Sequence, residues 1–320
     1  MSKIRVAVVG AGQFGRNHIR VIQQASRAEL VAIVDTDSTR AGEAAAPYGC
    51  AAYTDVAQII GRVDAAVIAT PTSMHVAAAL PLLEAGIDVL VEKPIAKDAA
   101  SARRLIEAAS RNGRILQVGH LERFNPAVLA LSGKVRMPLF FEVHRLSQFT
   151  PRSLDIDVVL DLMIHDIDVV LSFVGTMPDE IRAAGISILT PKVDIANVRL
   201  SFPTGCVANL TASRVSTERV RKLRLFQPNE YLSVDYSRKE AFSLSVAPDR
   251  RIVSEALAVE KNEPLQLELD SFFDSVETRR PPRVGGEDAV RALEVALSIL
   301  AKIEEHSKVV AQAMASAQKG

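Results

Sequence analysis

The chain has 320 residues, of which 48% are hydrophobic, and its 38 lysines and arginines balance 38 aspartates and glutamates. A chain of this length exceeds what one hydrophobic core usually serves, so we expect two domains. The balanced charge gives no net field that would attract nucleic acid or an anionic membrane.

The cysteines and the chain start bear on the compartment. Cys50 and Cys206 are too few for a disulfide framework and too far apart for a zinc motif, which favours a reducing cytoplasm. The first strand is expected to begin near Lys3, leaving no room for a signal peptide, and no uncharged apolar run approaches bilayer length. We therefore expect a cytoplasmic protein with neither a membrane nor a nucleic-acid partner.

A glycine-rich loop follows the first apolar run, residues 4–9. Gly10 permits a tight turn, Gly12 lets backbone amides approach a pyrophosphate, and Gly15 lets the next helix pack closely on the strand. The following strand ends in Asp35, about 20 residues beyond, where a carboxylate binds a ribose 2'-hydroxyl. A glycine-rich turn without ligand is the alternative, and the aspartate at this spacing favours a dinucleotide site. The expected cofactor contacts from these two segments also include Gln13, Phe14 and Thr36.

The charge at Asp35 predicts NAD rather than NADP as the cofactor. Its carboxylate would repel a 2'-phosphate, and Thr36 offers no cation to hold one. Arg40 lies nearby in the sequence, so we do not expect the preference to be absolute.

Strands and helices alternate through the rest of the first half. This alternation predicts an α/β domain over residues 1–122, with a doubly wound parallel sheet of the Rossmann type. The expected helices are 38–48, 55–60, 73–85 and 98–111, and the expected strands are 29–34, 65–69, 87–91 and 115–118.

The segment that follows strand 65–69 lies on the ligand-binding edge of this sheet. Thr70 and Pro71 come after strand 65–69, and Ser73 is expected to cap a helix whose first turn carries His75. A lone histidine is more often structural, and here a contact with the cofactor edge is the competing interpretation. We include Thr70, Pro71 and His75 among the expected cofactor residues.

Glu92, Lys93 and Pro94 follow strand 87–91. By itself, a charged pair before a proline usually only ends a strand at the surface. Here the pair stands where a buried parallel strand reaches the ligand edge of an open sheet. The position favours a cofactor contact by Glu92 and a functional lysine that meets a second reactant.

Longer strands with alternating polarity dominate the second half. They predict an α+β domain over residues 123–320, with an open, mostly antiparallel sheet whose other face needs helices, a ligand or a second subunit. The expected strands are 139–145, 182–189, 196–202, 206–213, 221–226, 231–235 and 240–247, followed by helices 265–278 and 288–306.

One apolar helix, residues 157–174, carries a polar stripe. Asp157, Asp161, His165 and Asp168 recur at helical spacing among valine, leucine, isoleucine and methionine. Burying such groups is costly unless they are paired or used, so we favour a ligand-facing stripe over a solvated one. A metal bound by Asp161 and His165 is the other alternative, but no third ligand stands at motif spacing, and we expect no metal.

The motifs together resemble the Gfo/Idh/MocA family of NAD(P)-dependent sugar oxidoreductases. The similarity rests on GAGQFG, the aspartate that ends the second strand, ATPTSMH, VEKP and DLMIH, in this order over nearly the whole chain. It implies that Lys93 lies beside the nicotinamide and the sugar hydroxyl, that Glu92 contacts the nicotinamide ribose, and that Pro94 is often cis. It also implies that Asp161 orients the sugar while His165 accepts the hydroxyl proton. Histidine suits that step because its pKa lies near neutrality.

The substrate and the assembly are also implied by resemblance. Segments 119–128, 144–168 and 192–202 are together most similar to family members that oxidise the 3-hydroxyl of UDP-N-acetylglucosamine on the way to lipid A. Relatives pair their C-terminal sheets into homodimers and homotetramers and pack their last helices back on the nucleotide domain. Expected substrate contacts are His120, Arg123, Asn125, Arg152 and Asp168, and Arg145, Arg214, Arg219 and Arg221 are further cations for a diphosphate, although an ion pair is the commoner role of each.

Three other functions compete with this one. A free sugar or polyol, such as inositol or glucose, is the first alternative substrate. A non-catalytic NAD-sensing regulator is the second, because folds host many functions, although Lys93, Asp161 and His165 together favour an enzyme. A glycosidase that oxidises and re-reduces its substrate on tightly held NAD is the third.

Overall fold

A computed structural model describes residues 3–150 and 156–317, with side chains described up to residue 311. The chain forms two compact units. The first comprises Met1–Phe124 and Asn262–Val290, and the second comprises Asn125–Lys261 and Arg291–Gly320. The first unit is therefore built from two separate stretches of sequence.

The described residues form fourteen strands and eight α-helices. The strands are β1 (Ile4–Val9), β2 (Ala28–Val34), β3 (Ala51–Tyr53), β4 (Ala65–Ile68), β5 (Asp88–Glu92), β6 (Leu116–Gly119), β7 (Phe140–Leu146), β8 (Glu180–Ile186), β9 (Ile195–Ser201), β10 (Val207–Ser213), β11 (Val220–Gln227), β12 (Glu230–Asp235), β13 (Glu240–Val246) and β14 (Ile252–Ala256). The helices are α1 (Gln13–Gln24), α2 (Ser38–Ala45), α3 (His75–Glu84), α4 (Ala99–Arg111), α5 (Pro126–Ser132), α6 (Ile164–Val174), α7 (Pro264–Thr278) and α8 (Gly286–Ala317).

The first unit contains a six-stranded parallel sheet in the order β3-β2-β1-β4-β5-β6. Strands β1, β4 and β5 are buried along nearly their whole length, because helices cover both faces of the sheet. The strand order reverses between β1 and β4, which places the ligand crevice at the carboxyl ends of those two strands. The predicted doubly wound parallel sheet is confirmed.

Helix α7 completes the core of the first unit. Leu269, Phe272, Phe273 and Val276 are buried in one cluster with apolar residues of β1, β2 and α1. The carboxylate of Asp88, at the start of β5, is held by both terminal nitrogens of Arg279, at 2.7 and 2.8 Å. A late segment of the chain is thus part of the nucleotide-binding fold.

The second unit contains an eight-stranded sheet in the order β14-β13-β12-β11-β7-β10-β9-β8. Strands β7 and β10 run parallel and every other neighbouring pair is antiparallel, which confirms the mostly antiparallel sheet. Alternate strand residues point into a core that also includes residues of α5, α6 and the part of α8 from Ala292 to Ile303.

Two expectations about helices are wrong. Ser73 does not cap α3: residues Thr72–Met74 form a 3-10 turn, and α3 begins at His75 without a side-chain cap. Helix 157–174 is not regular, because Val159–Met163 form a π-helical segment before α6 begins. In contrast, Asp98 caps α4 as expected, accepting from the Ser101 amide at 2.7 Å.

Within the described ranges, no helix combines the length and the apolar character needed to span a bilayer.

Candidate active site

The glycine loop has the close contacts that its sequence predicts. A Cβ on Gly15 would lie 1.7 Å from the Gly10 carbonyl oxygen, and one on Gly10, at φ +97°, would lie 2.6 Å from the Ala69 carbonyl oxygen. Around Gly12 there is open space, and α1 starts beside it without a side-chain cap. The first amides of α1 are therefore available to an anionic group.

Asp35 follows β2 at the same edge of the sheet. Its buried carboxylate accepts hydrogen bonds from the amides of Ala11, at 2.8 Å, and Asp37, at 3.0 Å. Arg40 Nη1 lies 3.3 Å from Asp35 Oδ1. The same nitrogen lies 3.5 Å from Oδ2, and this long contact from a half-exposed side chain is the one that a ribose hydroxyl would replace.

A cleft of about 640 Å³ opens beside this carboxylate. Its lining combines Gly10 and Gly12 of the glycine loop with Asp35, Thr36 and Arg40, and continues to Thr70 and Pro71 after β4. Gln13 and Phe14 are exposed at the start of α1, and the Phe14 side chain is 62% exposed. The open backbone at Gly12, the uncapped helix and the Asp35 carboxylate fit the pyrophosphate and ribose of NAD.

The His75 side chain is buried and forms hydrogen bonds with two backbone carbonyl groups. Its Nε2 lies 2.9 Å from the Thr70 carbonyl oxygen and its Nδ1 lies 2.9 Å from the Pro94 carbonyl oxygen. Burial lowers its pKa, although these two hydrogen bonds oppose the shift. The imidazole thus connects the segments that follow β4 and β5, while its predicted cofactor contact stays a prediction.

Glu92, the last residue of β5, points towards α1. His18 Nε2 lies 2.7 Å from Glu92 Oε1, and the Lys93 amide donates to Glu92 Oε2 at 3.2 Å. Burial pushes the pKa of Glu92 up, but the hydrogen bond and charge of His18, with the charge of Lys93, outweigh it and leave the pKa below the usual value. The expected contact of Glu92 with the nicotinamide ribose stays a prediction.

Lys93 is partly buried, and its peptide bond to Pro94 is cis. His120, after β6, is fully buried, and its pKa is lowered to about 3 by burial and by the charges of Lys93 and Arg123. His120 is therefore neutral at any working pH. It remains a hydrogen-bonding group but not a source of titration near neutrality.

In the second unit, the polar stripe is divided by burial. Asp161, in the π-helical segment, and His165, at the start of α6, are partly exposed, whereas Asp168 is buried. Asp157 has a structural role, because its Oδ1 accepts from the Val193 amide at 3.0 Å. Irregular π turns occur frequently at functional sites, and here one contains Asp161.

The expected substrate residues lie in varied surroundings. Arg123 Nη2 lies 3.5 Å from the Arg283 carbonyl oxygen, and Asn125 caps α5 through the Ala127 amide at 3.1 Å. Arg152 lies outside the described residues. Two of the further cations are buried near acids, since Arg145 binds Asp166 through two 2.7 Å contacts and Arg214 Nε lies 3.8 Å from Asp194.

Sequence reasoning missed His18 and Glu268, two buried titratable residues of the first unit. Both lie close to Glu92. Each of the three residues has one nitrogen or oxygen atom that could bind a metal ion, and these three atoms lie within 4.8 Å of one another. Glu268 stands one helical turn before Phe272, on the apolar face of α7. A carboxyl group on the buried stripe of a helix was the signal that would have found it.

Comparisons with known proteins place the chain in a family. The family described as "Oxidoreductase family, NAD-binding Rossmann fold" matches residues 4–120, and the "GFO/IDH/MocA C-terminal domain" matches residues 128–227. The UDP-N-acetylglucosamine 3-dehydrogenase of Acidithiobacillus ferrooxidans is 36% identical over 312 residues, covering 95% of this chain and 98% of that protein. Its solved structure matches with a TM-score of 0.90 over 95% of this chain and 99% of that chain.

Two other relatives are more distant. Inositol 2-dehydrogenase 4 of Saccharopolyspora erythraea is 36% identical over 195 residues, covering 58% of this chain and 57% of that protein. An oxidoreductase of Agrobacterium radiobacter, solved with NAD⁺, L-tartaric acid and magnesium, shares the fold at 15% identity and a TM-score of 0.85, over 95% of this chain and 97% of that one. By its glycine loop, its two-part fold and these similarities, the chain belongs to the Gfo/Idh/MocA family of NAD-dependent oxidoreductases.

Proposed function

We propose that the chain oxidises the 3-hydroxyl of UDP-N-acetylglucosamine to a ketone. The observation that carries this proposal is the similarity to a dehydrogenase of that sugar nucleotide over 98% of its length. The similarity includes both units, so it extends beyond the nucleotide-binding fold that many oxidoreductases share. NAD, when bound, accepts the hydride from the sugar carbon.

The chain's own residues supply proton and charge chemistry in this proposal. His165 accepts the hydroxyl proton, Asp161 orients the sugar, and the Lys93 cation stabilises the negative charge that develops on the oxygen. Partial exposure of all three side chains supports these roles, because each can be reached by a ligand. His120, Arg123, Asn125, Arg152 and Asp168 remain the proposed substrate contacts, and the nucleotide contacts are those expected from the glycine loop, Asp35 and the segments after β4 and β5.

A cyclic polyol is the second candidate substrate. Inositol 2-dehydrogenases share 34 to 36% identity with the chain, but over only 54 to 61% of its length. Oxidation of a polyol uses the same hydride chemistry, but the substrate has no nucleotide portion for the enzyme to recognise. The difference in coverage favours the sugar nucleotide.

Absorbance of reduced nicotinamide tests the proposal. The purified chain is mixed with NAD and, separately, with UDP-N-acetylglucosamine, UDP-N-acetylgalactosamine, UDP-glucose, free N-acetylglucosamine and myo-inositol. We expect reduction of NAD with UDP-N-acetylglucosamine at the highest kcat/KM. Oxidation of myo-inositol with no response to UDP-sugars would establish the second candidate, and NAD binding without turnover of any sugar would favour a sensor.

The setting of the enzyme completes the proposal. We propose that it acts in the cytoplasm, supplies a 3-keto sugar for later amination on the way to lipid A, and forms homodimers or homotetramers through the outer face of its eight-stranded sheet.

An aromatic patch on that sheet supports the proposed oligomer. In this patch the ring centroids of Phe140 and Phe226 lie 5.9 Å apart, those of Phe226 and Tyr231 5.0 Å, and those of Tyr231 and Phe242 5.6 Å, and Phe226 and Phe242 are 39% and 38% exposed. Sedimentation equilibrium of the full chain and of a Phe226→Lys variant measures it, and a monomeric parent would contradict it.

A further inference from the structure

Three titratable side chains meet inside the first unit, between the sheet and the helices α1 and α7. They are His18 of α1, Glu92 of β5 and Glu268 of α7, which we call the acid cluster. His18 and Glu268 are 1% and 0% exposed. Gly119 of β6, the register partner of Glu92, leaves room for it, since a Cβ there would lie 3.0 Å from Glu92 Oε2. The cluster therefore occupies a space that the missing side chain of a glycine in β6 leaves open, and its three side chains come from α1, β5 and α7.

The two carboxyl groups of the cluster have different surroundings. Glu92 is hydrogen-bonded by His18 and by the Lys93 amide. Neither carboxyl oxygen of Glu268 has a hydrogen-bond partner among the described residues. Helix α7 is nevertheless fixed at this point, because the side-chain amide of Gln117 donates to the Glu268 carbonyl oxygen at 2.9 Å. An ionised Glu268 would be a buried charge without compensation, beside another negative charge.

Charge and distance decide between two uses of this cluster. Ligand atoms on one tetrahedral zinc ion, at about 2.0 Å from the metal, stand about 3.3 Å apart. His18 Nε2 and Glu92 Oε1 are 2.7 Å apart, which is the separation of a hydrogen bond. The geometry is that of groups sharing protons rather than a metal.

We propose that Glu268 is a positioning residue that stays a neutral carboxylic acid in the working enzyme and leaves Glu92 as the one negative charge of the acid cluster beside Lys93. Besides His18 of the cluster itself, the nearby titratable or charged groups are Lys93 after β5 and His120 after β6. The charges of Arg123, in the turn that follows, and of Asp288, at the start of α8, act in turn on His120. Burial raises the pKa of Glu268 well above its usual value, and the charge of Glu92 adds to the shift.

Infrared spectroscopy of the ligand-free chain tests the protonation directly. Carboxyl groups with ordinary pKa values are ionised at pH 7.5, so we expect the absorption of a protonated carboxylic acid in the parent to be lost in Glu268→Gln. The control Glu107→Gln, on an exposed position of α4, should keep it. The proposal is overturned if the parent lacks this band or if Glu268→Gln retains it.

The pH dependence of stability is a second, independent readout. Because the pKa of Glu268 is raised in the folded state, its contribution is fully present below the unfolded pKa, about 4.3, and is lost as the pH rises towards the folded value. Glutamine does not ionise, so the thermal midpoint of Glu268→Gln minus that of the parent should increase between pH 5 and pH 8. An unchanged difference would contradict a raised pKa and overturn the proposal.

Two further measurements complete the test. Calorimetric titration of the ligand-free parent with Zn²⁺ should show no site that both His18→Gln and Glu268→Gln remove, and such a site would replace our proposal with a metal centre. The effect on turnover rests on the proposed function: activity of the parent should fall at alkaline pH as Glu268 ionises, and Glu268→Gln should lack that fall. An identical alkaline profile in both would overturn the positioning role. The spectroscopic, stability and zinc measurements need no substrate, so they separate this inference from the choice of sugar.

Discussion

The carboxylate of Asp35 has two neighbours with opposite consequences for the cofactor. The Ala11 amide fixes it against the glycine loop, at 2.8 Å, which holds it ready for a ribose hydroxyl. Arg40, 3.3 Å away and about half exposed, offsets part of its charge and provides a cation that a 2'-phosphate can approach. We therefore expect the selectivity for NAD over NADP to depend on this pair of residues rather than on the aspartate alone.

We predict that Asp35→Ala weakens NAD binding and narrows the gap between NAD and NADP. Loss of a charge-assisted hydrogen bond costs roughly 1.5 to 3 kcal/mol, which corresponds to about a 10- to 150-fold loss of affinity. Isothermal titration with both cofactors measures this, with Glu29→Ala, an exposed position on the strand that precedes Asp35, as the control. Unchanged affinities for both cofactors would remove Asp35 from the site.

Lys93→Met should leave folding and NAD binding largely intact while nearly abolishing turnover. The cation is needed where negative charge develops on the substrate oxygen, and methionine keeps most of the apolar stem. Lys97→Met, an exposed lysine four residues later, is the control and should stay active. Single-turnover hydride transfer at close to the parent rate would reduce Lys93 to the polar end of a strand.

The pH profile identifies the base. We expect log(kcat/KM) for oxidation to rise with pH through the range where an ordinary histidine loses its proton, about 6.5, and then to level off until the alkaline fall that follows from ionisation of Glu268. His120 cannot produce this limb, because its pKa is lowered to about 3. In His165→Asn this acidic limb of the pH profile should disappear, and the rate of oxidation should fall by a factor of about 10² to 10⁴. If the limb persists in His165→Asn but disappears in Lys93→Met, the lysine is the base.

At the scale of elements, a buried ion pair joins β7 to α6. The Arg145 guanidinium binds both oxygens of Asp166 at 2.7 Å, and its carbon lies 5.2 Å from the centre of the Tyr236 ring. Both charged side chains are buried. This pair fixes the helix that carries His165 to the sheet beneath it.

Removing one partner of this pair should destabilise the second unit strongly. We expect Arg145→Ala to lower the free energy of unfolding by about 3 to 5 kcal/mol, because it removes the guanidinium that binds both oxygens of the buried Asp166 carboxylate. Urea unfolding measures the loss. Arg182→Ala, which breaks an exposed pair with Glu180, should have a much smaller effect, because solvent screens that pair. Equal effects of the two variants would contradict the role of Arg145.

The sequence predicted most elements because their polarity follows a regular period. Alternation over residues 221–226 and 240–247, for example, indicated strands that the structure contains as β11 and β13. The exposed strand β14 was missed, since a strand without a buried face has no alternation to detect. The π-helical segment was missed as well, because apolar residues at 159, 160, 162 and 163 suit a regular helix equally well.

The candidate site was predicted in the same uneven way. The sequence pointed to the glycine loop, Asp35 and Lys93 because the roles predicted for them impose fixed spacing within short segments. The acid cluster was not, because His18, Glu92 and Glu268 are brought together from three distant parts of the chain. No local pattern records such a contact, and only the burial of Glu268 on an apolar helix face pointed to it.

At the scale of the molecule, the first unit depends on residues 262–290. Two phenylalanines of α7, Phe272 and Phe273, are fully buried in its core, and each contributes about 1.5 to 3 kcal/mol. We therefore predict that a fragment of residues 1–124 alone does not unfold cooperatively. Its exposed apolar surface should bind a hydrophobic dye. Residues 1–124 joined to 262–290 by a flexible linker should unfold cooperatively and bind NAD. A cooperative transition of residues 1–124 alone, followed by circular dichroism, would refute this.

The π-helical segment Val159–Met163 has a consequence for how this enzyme can change over generations. A helix advances about 100° per residue, so losing or gaining one residue there turns everything on its far side by that angle. Asp161 and His165 would then point in different directions although both were still present. Substitutions within the segment preserve the angle, whereas single-codon deletions do not. Lineages of this enzyme should therefore vary in the identity of the four residues around Asp161 but keep the number of residues in the segment at five.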